Sequence, residues 1–435
     1  MTKITISEYG YVGCDNLFTS EQKFISRRDL TQDAFRELYD FWLKDKATQK
    51  IFTFENRNCL KAQNYVGIIQ TQNLSVEILP KIYNGEKEKQ TRAIFIAMLK
   101  VVLNINEIQI NKADLSVTKD KNIYELFISM FVKSIDTLIH KGLKSEYILQ
   151  ESNQHFLKGK LKFNEHIKQN TIHKERFYVE FDEYMQNRVE NKLLKSTIAL
   201  LLKKTKDYEN KKALRQQLFI FDEVGFSYNY ESDISKINLQ RGMQHYEIPL
   251  RFAEVFLKHN SFTSLRGKDN VFALLFPMEK VFEEYMAEVL KNSQKNLDIK
   301  DVLINGGKNE YLLSDGKCKL TRLQPDYLLK MLNAKDIVVD AKWKLLQENE
   351  NSAKECSSVN ISSQDVYQIF SYLHFYDAQD EAYLFVPQTK ELEKFLTFNY
   401  KRGYKQEERE VKNIKIIPIN LEELIVNNHR LDTFF

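Results

Sequence analysis

The sequence predicts a mixed α/β protein of several domains: a β-rich N-terminal domain, a helical middle region and a C-terminal α/β layer. Three observations carry that prediction. The chain has 435 residues, more than one typical core accommodates. Hydrophobic residues make up 43%, enough for sizeable cores. The apolar pattern also changes along the chain, from short β-branched runs, to long helical repeats, to an alternation of both. The expected segments are 1–115, 116–265 and 266–435.

In the first segment, Ile4–Ser7, Lys50–Phe54, Val66–Gln70 and Leu74–Ile78 read as strands, the last two meeting at a polar Gln72-Asn73 turn. Thr31–Lys44 has helical spacing, with Phe35, Leu38, Tyr39 and Trp42 on one face, and a second helix is expected over Lys89–Val102. The middle segment carries a helix over Ile123–Lys141, stopped by Gly142, then a linking stretch from Leu143 to Ile167, then a helix over Tyr184–Lys206. The last segment opens with a helix over Pro277–Leu290, its proline in the first turn. Strands follow at Tyr311–Leu313, Leu323–Leu332 and Ile337–Leu345, then a polar loop over Gln347–Val359. A helix over Ser363–Phe375 and strands at Ala382–Val386 and Ile414–Ile417 complete it.

Composition excludes several classes. Four scattered cysteines without a CxxC pair argue against a zinc site or disulfide framework and fit a reducing cytoplasmic setting. The eight histidines lack metal-ligand spacing. No apolar run is long enough for a bilayer, the first residues do not form a signal peptide, and no G-x-x-x-x-G-K-[ST] motif marks a nucleotide motor. A net charge of +4 leaves nucleic-acid binding to local patches. Lys141, Lys144, Lys158, Lys160, Lys162, Lys168, Lys174 and Arg176 form one such patch; Lys203, Lys204, Lys206, Lys211, Lys212 and Arg215 form another. Each is either a phosphate-contacting surface or a solubilising face.

One constellation carries chemistry. Pro325-Asp326 begins one expected strand and Asp340-Ala341-Lys342 lies in the next. Strand side chains alternate, so Asp340 and Lys342 share a face. A hairpin closed at Asn333-Ala334-Lys335 would bring Asp326 roughly opposite Lys342. Two carboxylates suit Mg²⁺, which polarises a phosphate and activates water, and a lysine can orient that water and stabilise developing charge. This is the PD-(D/E)xK arrangement of restriction-endonuclease-like domains. By chance it occurs in about one chain in five of this size, so a charged surface hairpin is the competing reading and context must decide.

The flanking helices supply context. Phe282-Glu283-Glu284-Tyr285 offers an acid to the metal, with Glu283 the candidate ligand and Glu284 the alternative. In the later helix, Ser362 and Asp365 have capping-box-like spacing, and Asp365, Gln368 and Tyr372 share a face. Gln368 is either a contact to phosphate or water at the site or a structural amide. The candidate catalytic set is therefore Asp326, Asp340, Lys342, Glu283 and Gln368, with Asp326, Asp340 and Glu283 as metal ligands.

Together Val281–Tyr285, Gln324-Pro-Asp-Tyr327, Val338-Val-Asp-Ala-Lys-Trp-Lys344 and Asp365–Tyr372 resemble McrC, the nuclease subunit of McrBC modification-dependent restriction systems, and the related LlaJI-type subunits. Val76-Glu-Ile-Leu-Pro-Lys-Ile82, Gly142–Tyr147, Leu157–Lys160 and Phe181–Tyr184 with Asn187 and Asn191 are similar to its earlier regions, in the same order. The resemblance implies a Mg²⁺-dependent endonuclease acting on modified double-stranded DNA with an McrB-like AAA+ GTPase. It also implies that the N-terminal part contacts and stimulates that motor; Lys23, Arg27 and Arg28 are basic candidates for the contact. Two other readings stay open: a self-sufficient or repair nuclease of the same type, and a non-enzymatic adaptor that activates a motor.

Overall fold

Strands and helices gather into two compact units, Met1–Asn106 with Leu275–Phe435, and Glu107–Leu274. The computed structural model describes residues 2–14, 27–44, 46, 48–56, 58–82, 88–105, 122–261, 272–306, 311–314, 319–346, 348–349, 358–376, 381–400 and 412–433. Lys23, Cys318, Cys356 and most of the expected 347–359 loop lie outside them. Among the described residues no helix is long and apolar enough to cross a membrane.

The two units redistribute the three expected segments: 1–115 and 266–435 largely share one unit, and the middle is an insertion. The reason is a strand that sequence reading missed, Phe272–Pro277, which joins the N-terminal sheet beside Tyr65–Gln70. Met278 N donates to Asn64 O at 2.9 Å. The helix Met278–Asn292 then packs on the helix Glu88–Val102, and the Phe95 and Phe276 rings meet edge to face at 6.1 Å. Pro277 precedes the helix as its N-cap instead of occupying its first turn.

In that first unit, Tyr65–Gln70 and Leu74–Leu79 pair antiparallel around the expected turn, and Leu74–Leu79 also pairs in parallel with Thr2–Ser7. A second sheet holds Arg27–Leu30, Tyr11–Cys14, Cys59–Ala62 and Phe52–Asn56 in that order. Arg28 is exposed on its edge strand, and Arg27 lies 5.6 Å from the Tyr11 ring. The third sheet has six strands in the order Ile299–Ile304, Tyr327–Met331, Ile337–Ala341, Glu381–Pro387, Lys412–Ile419 and Leu396–Tyr400. Its middle strands pair in parallel and are buried on both faces, which is why they read as nearly unbroken apolar runs. The helix Ser363–Phe375, observed at its expected bounds, covers one face through Ile369, Tyr372 and Leu373.

In the second unit, the helices Ile123–Lys141, Val189–Lys204, Tyr208–Ile220 and Glu247–Ser261 pack around edge-to-face aromatics, with Phe131 5.9 Å from Phe256. Buried Glu125 ties three of these segments, accepting from Thr205 Oγ1 at 2.6 Å, Lys206 N at 2.8 Å and Asn210 Nδ2 at 2.9 Å. The expected linking stretch instead contains a long strand: Glu146–Gln154 pairs along its whole length with Phe177–Met185. That pairing, with the Tyr147 and Tyr184 rings 5.0 Å apart, is why the following helix starts at Val189 and not at Tyr184. Part of the first basic patch is matched by acids: Lys162 lies 2.5 Å from Glu151 and 3.6 Å from Glu180, and Lys158 lies 3.9 Å from Glu183.

Within the first unit, Glu8 joins residues far apart in sequence. Its Oε2 accepts from Lys81 N and from the Trp343 indole, both at 2.8 Å, while Oε1 has no hydrogen-bond partner. Burial pushes its pKa up from 4.5 to about 7, against the pull of Lys81 and these bonds. A raised carboxyl pKa stabilises the fold fully below pH 4.5, and that contribution is lost as pH rises through about 7. The unfolding free energy of the chain should fall by up to about 3 kcal/mol over that window from this group. Glu8→Gln should show a shallower fall. Denaturant titrations at pH 5 and pH 8 check this (settings of about these values span the window): parallel pH profiles for the two proteins would contradict it.

Candidate active site

The strand Ile337–Ala341 is buried at every position, yet its fourth residue is Asp340. It forms a hairpin with Tyr327–Met331 in which Tyr327 faces Val339, Leu328 faces Val338 and Leu329 faces Ile337. These pairs are symmetric about Asn333, so Asp326 lies across from Asp340 and not from Lys342, as sequence reading expected. The Lys330–Asp336 ion pair closes the loop one residue earlier than the turn first inferred. The correction brings the two carboxylates nearer each other.

Asp326 Oδ2 accepts from Ala341 N at 2.7 Å, and Asp326 O accepts from Asn305 N at 2.9 Å. The Lys342 ammonium sits 2.8 Å from Asp340 Oδ2, with Asp340 only 1% exposed. Asp340 Oδ1 is buried and has no hydrogen-bond partner. Burial raises the Asp326 pKa far above the usual carboxylate range, and repulsion from Asp340 adds to it, against the Ala341 bond. Burial likewise raises Asp340, opposed by Lys342. Burial disfavours the Lys342 charge, but Asp340 and Asp326 outweigh it and hold the ammonium above its ordinary pKa. Asp326, Asp340 and Lys342 are thus brought together, as the sequence reading expected.

Glu283 approaches from the helix Met278–Asn292. Its pKa is raised by burial first and by Glu284 next, and it feels both Lys342 and Asp340. Glu284 feels Lys280 but no member of the triad, so Glu283 is the acid turned toward the site. Tyr327 fixes this helix by donating to Glu283 O at 2.5 Å. Among the described residues no group of three or more His, Cys, Asp or Glu is placed so that it could hold a metal ion, so Asp326, Asp340 and Glu283 do not come together as the three-ligand set the sequence reading expected. Gln368 points elsewhere than the carboxylates: its Nε2 donates to Tyr372 OH at 2.7 Å, which donates to Gln324 O at 2.9 Å. This relay holds the segment leading into Asp326.

Sequence reading missed three contributors. Lys344 pairs with Asp365, whose pKa stays low despite burial because Lys344 and Ser362 bond it. The period of two that placed Lys342 beside Asp340 also placed Lys344 there. Tyr372 was seen only as a neighbour of Gln368. Gly306 gave no signal beyond being a glycine. It has φ +62°, and a Cβ there would stand 2.5 Å from Pro325 Cδ and 2.7 Å from Tyr376 OH. A cavity of about 420 Å³ lies beside Lys344 and is lined also by Glu8, Tyr9, Lys81 and Asn360; neither Asp326 nor Asp340 lines it, so the charged cluster and not the cavity marks the site.

Fold and site define a mixed α/β protein with a buried carboxylate pair and a lysine on one hairpin. The chain belongs to the McrBC 5-methylcytosine restriction system component family, whose model matches residues 60–387. That span includes Glu283, Asp326, Asp340, Lys342 and Gln368, and it bears out the resemblance to McrC. No curated protein matches the chain. Among solved structures, the chain is similar to one in the half-complex of a tetradecameric assembly of Thermococcus gammatolerans McrB AAA+ hexamers with bound McrC. The two are 22% identical with a TM-score of 0.64, over 96% of this chain and 94% of that one. A chain of the cryo-EM Thermococcus gammatolerans McrBC complex is also 22% identical, over 67% of this chain and 87% of that one, at a TM-score of 0.47.

Gly306→Ala should destabilise the protein by about 1–3 kcal/mol, through both backbone strain and displacement of Pro325. Gly142→Ala is the control: Gly142 has φ +90° but nothing within 4 Å of an added Cβ. Equal losses for the two variants in denaturant titrations would contradict close packing of Gly306 against the Asp326 segment.

Proposed function

We propose that this protein is the nuclease subunit of a modification-dependent restriction complex, hydrolysing phosphodiester bonds of double-stranded DNA with Mg²⁺ and a AAA+ GTPase partner. The observation that carries this reading is the pairing of buried Asp340 with half-buried Asp326, with Lys342 2.8 Å from Asp340. The donor set fits Mg²⁺: hard oxygens, a buried Asp340 Oδ1 without a partner, and a mutual repulsion that a dication removes. Mg²⁺ characteristically takes one or two carboxylates and leaves other positions to water and phosphate, which suits two aspartates better than a closed cage. Asp326 and Asp340 would hold it, with Glu283 at the edge. When bound, it polarises the phosphate and acidifies nearby water.

The protein's own groups supply the rest. Lys342 remains an ammonium and can donate to the attacking water or to a non-bridging phosphate oxygen as charge develops there. Glu283, half-buried and with its pKa raised by burial and by Glu284, would serve as a proton acceptor or donor beside the cluster. The Gln368–Tyr372–Gln324 relay fixes where Asp326 enters the hairpin. The apolar strands around the cluster keep its charges from being screened by water.

The partner is assigned from the related assembly, in which McrB AAA+ hexamers carry bound McrC. This sequence has no nucleotide-binding G-x-x-x-x-G-K-[ST] motif of its own, which agrees with a division of labour.

In the assembled complex, Asp326→Ala and Asp340→Ala should each slow cleavage by about 100-fold or more. Lys342→Ala should do the same while Mg²⁺ still binds. Wild-type rates in all three would sink the assignment. Specificity is expected from the partner: the isolated chain should cut poorly, and partner plus GTP should switch on cutting of modified DNA only. Efficient cutting of unmodified DNA by the isolated chain would instead identify a self-sufficient nuclease.

A further inference from the structure

Beyond Ala341 the strand ends, and Lys342 keeps one ladder bond, donating from its N to Phe385 O at 2.8 Å. The chain then turns tightly, Lys344 N donating to Lys342 O at 2.8 Å. The direction of the Lys342 side chain therefore depends on what holds the residues after it. Lys344 is held by Asp365. Trp343 is 3% exposed, and its ring packs 5.3 Å from Phe282. Its polar groups go to the N-terminal sheet: the indole N–H donates to Glu8 Oε2 at 2.8 Å, and its carbonyl accepts from the Lys81 ammonium.

Glu8 and Lys81 reach Trp343 together because of strand register. Thr2–Ser7 and Leu74–Leu79 run parallel, with Ser7 beside Leu79. Glu8 and the Pro80-Lys81 pair thus emerge from the same end of the sheet, and Glu8 N donates to Leu79 O at 2.8 Å. Glu8 also accepts from Lys81 N, closing a ring of bonds among Glu8, Lys81 and Trp343. Burying a carboxylate and an ammonium here has a desolvation cost, so a purely adhesive contact would be served better by apolar side chains.

We infer that Glu8 and Lys81 are positioning residues for Lys342, acting through Trp343, so that the N-terminal Leu79-Pro80-Lys81 segment completes the nuclease site. The inference rests on the nuclease reading above. It gives the Val76–Ile82 motif a role at the reacting phosphate, independent of any contact with the motor.

The test is single-turnover cleavage by the full chain assembled with its AAA+ partner, at saturating Mg²⁺ and modified duplex DNA. Glu8→Ala and Lys81→Met should each slow the cleavage step by about tenfold or more, with DNA affinity and partner GTPase stimulation unchanged within roughly twofold. Glu8→Gln keeps an oxygen that accepts from the indole and from Lys81 N, and should recover the rate to within about threefold of wild type. Trp343→Phe keeps the ring but removes the N–H and should match Glu8→Ala. The Glu8→Ala/Trp343→Phe double variant should be no slower than either single one. Multiplicative losses, wild-type rates in the alanine variant, or a Glu8→Gln protein as slow as Glu8→Ala would each overturn the inference. If Glu8→Ala does not fold, Trp343→Phe against Glu8→Gln decides: the first must be slow and the second fast. Asp340→Ala run alongside separates the two claims, since wild-type cutting by that variant refutes the nuclease reading itself.

Discussion

Two acids meet where this hairpin opens, Asp340 on a fully buried strand and half-buried Asp326 just ahead of the partner strand, and their mutual repulsion constrains the groups around them. Asp340 is 1% exposed in a strand otherwise made of Ile, Val and Ala, and Asp326 faces it across the hairpin. A strand at this position selected only for stability would carry another aliphatic residue, since burying an unneutralised carboxylate costs several kcal/mol, roughly. Relief comes from four directions: the Ala341 N–H on Asp326, the Lys342 ammonium on Asp340, a hydrogen bond between the two acids, and burial itself, which favours the protonated form of each. None of these provides a donor for Asp340 Oδ1. A dication would satisfy that oxygen and the repulsion together, which is what supports the proposal of Mg²⁺ at this place.

The same unit explains why the N-terminal and C-terminal parts of the chain are bound to one fold. The strand Phe272–Pro277 closes the N-terminal sheet, and the helix that follows it delivers Glu283 to the triad. Glu8 and Lys81 return the connection from the other end by holding Trp343, one residue after Lys342. The second unit is inserted between these parts in sequence and has its own aromatic core. Truncation between the N-terminal sheets and the C-terminal α/β layer would therefore cut through a shared compact unit.

Much of the site was legible in the sequence because its determinants are local. Alternation on a short strand fixes Asp340 and Lys342 on one face, and the strand and helix around them are strongly patterned. The turn was misplaced by one residue, and the register therefore by two, because a loop ion pair, Lys330 to Asp336, decided where the hairpin closes, and nothing in the local pattern ranks that pair above a turn at Ala334. Glu283 and Glu284 differ by one position, and only the folded helix separates them: Glu283 is half-buried and feels Lys342 and Asp340, while Glu284 is exposed and does not. The strands Glu146–Gln154 and Phe177–Met185 were missed because their polar residues interrupt the alternation; they are specified by pairing with each other. Glu8, Gly306 and Trp343 act through partners tens to hundreds of positions away, a distance at which periodicity carries no information.

The proposal that Asp326 and Asp340 form an acidic pair that binds Mg²⁺ is tested most directly without DNA or partner. The measurement is unfolding free energy of wild type and Asp340→Asn as a function of Mg²⁺ concentration at neutral pH. Wild type should gain stability with Mg²⁺, by about 2.7 kcal/mol at a hundredfold excess over the dissociation constant. Asp340→Asn, which lacks one of the two carboxylates, should show no such gain. An identical Mg²⁺ response in both proteins would contradict the account.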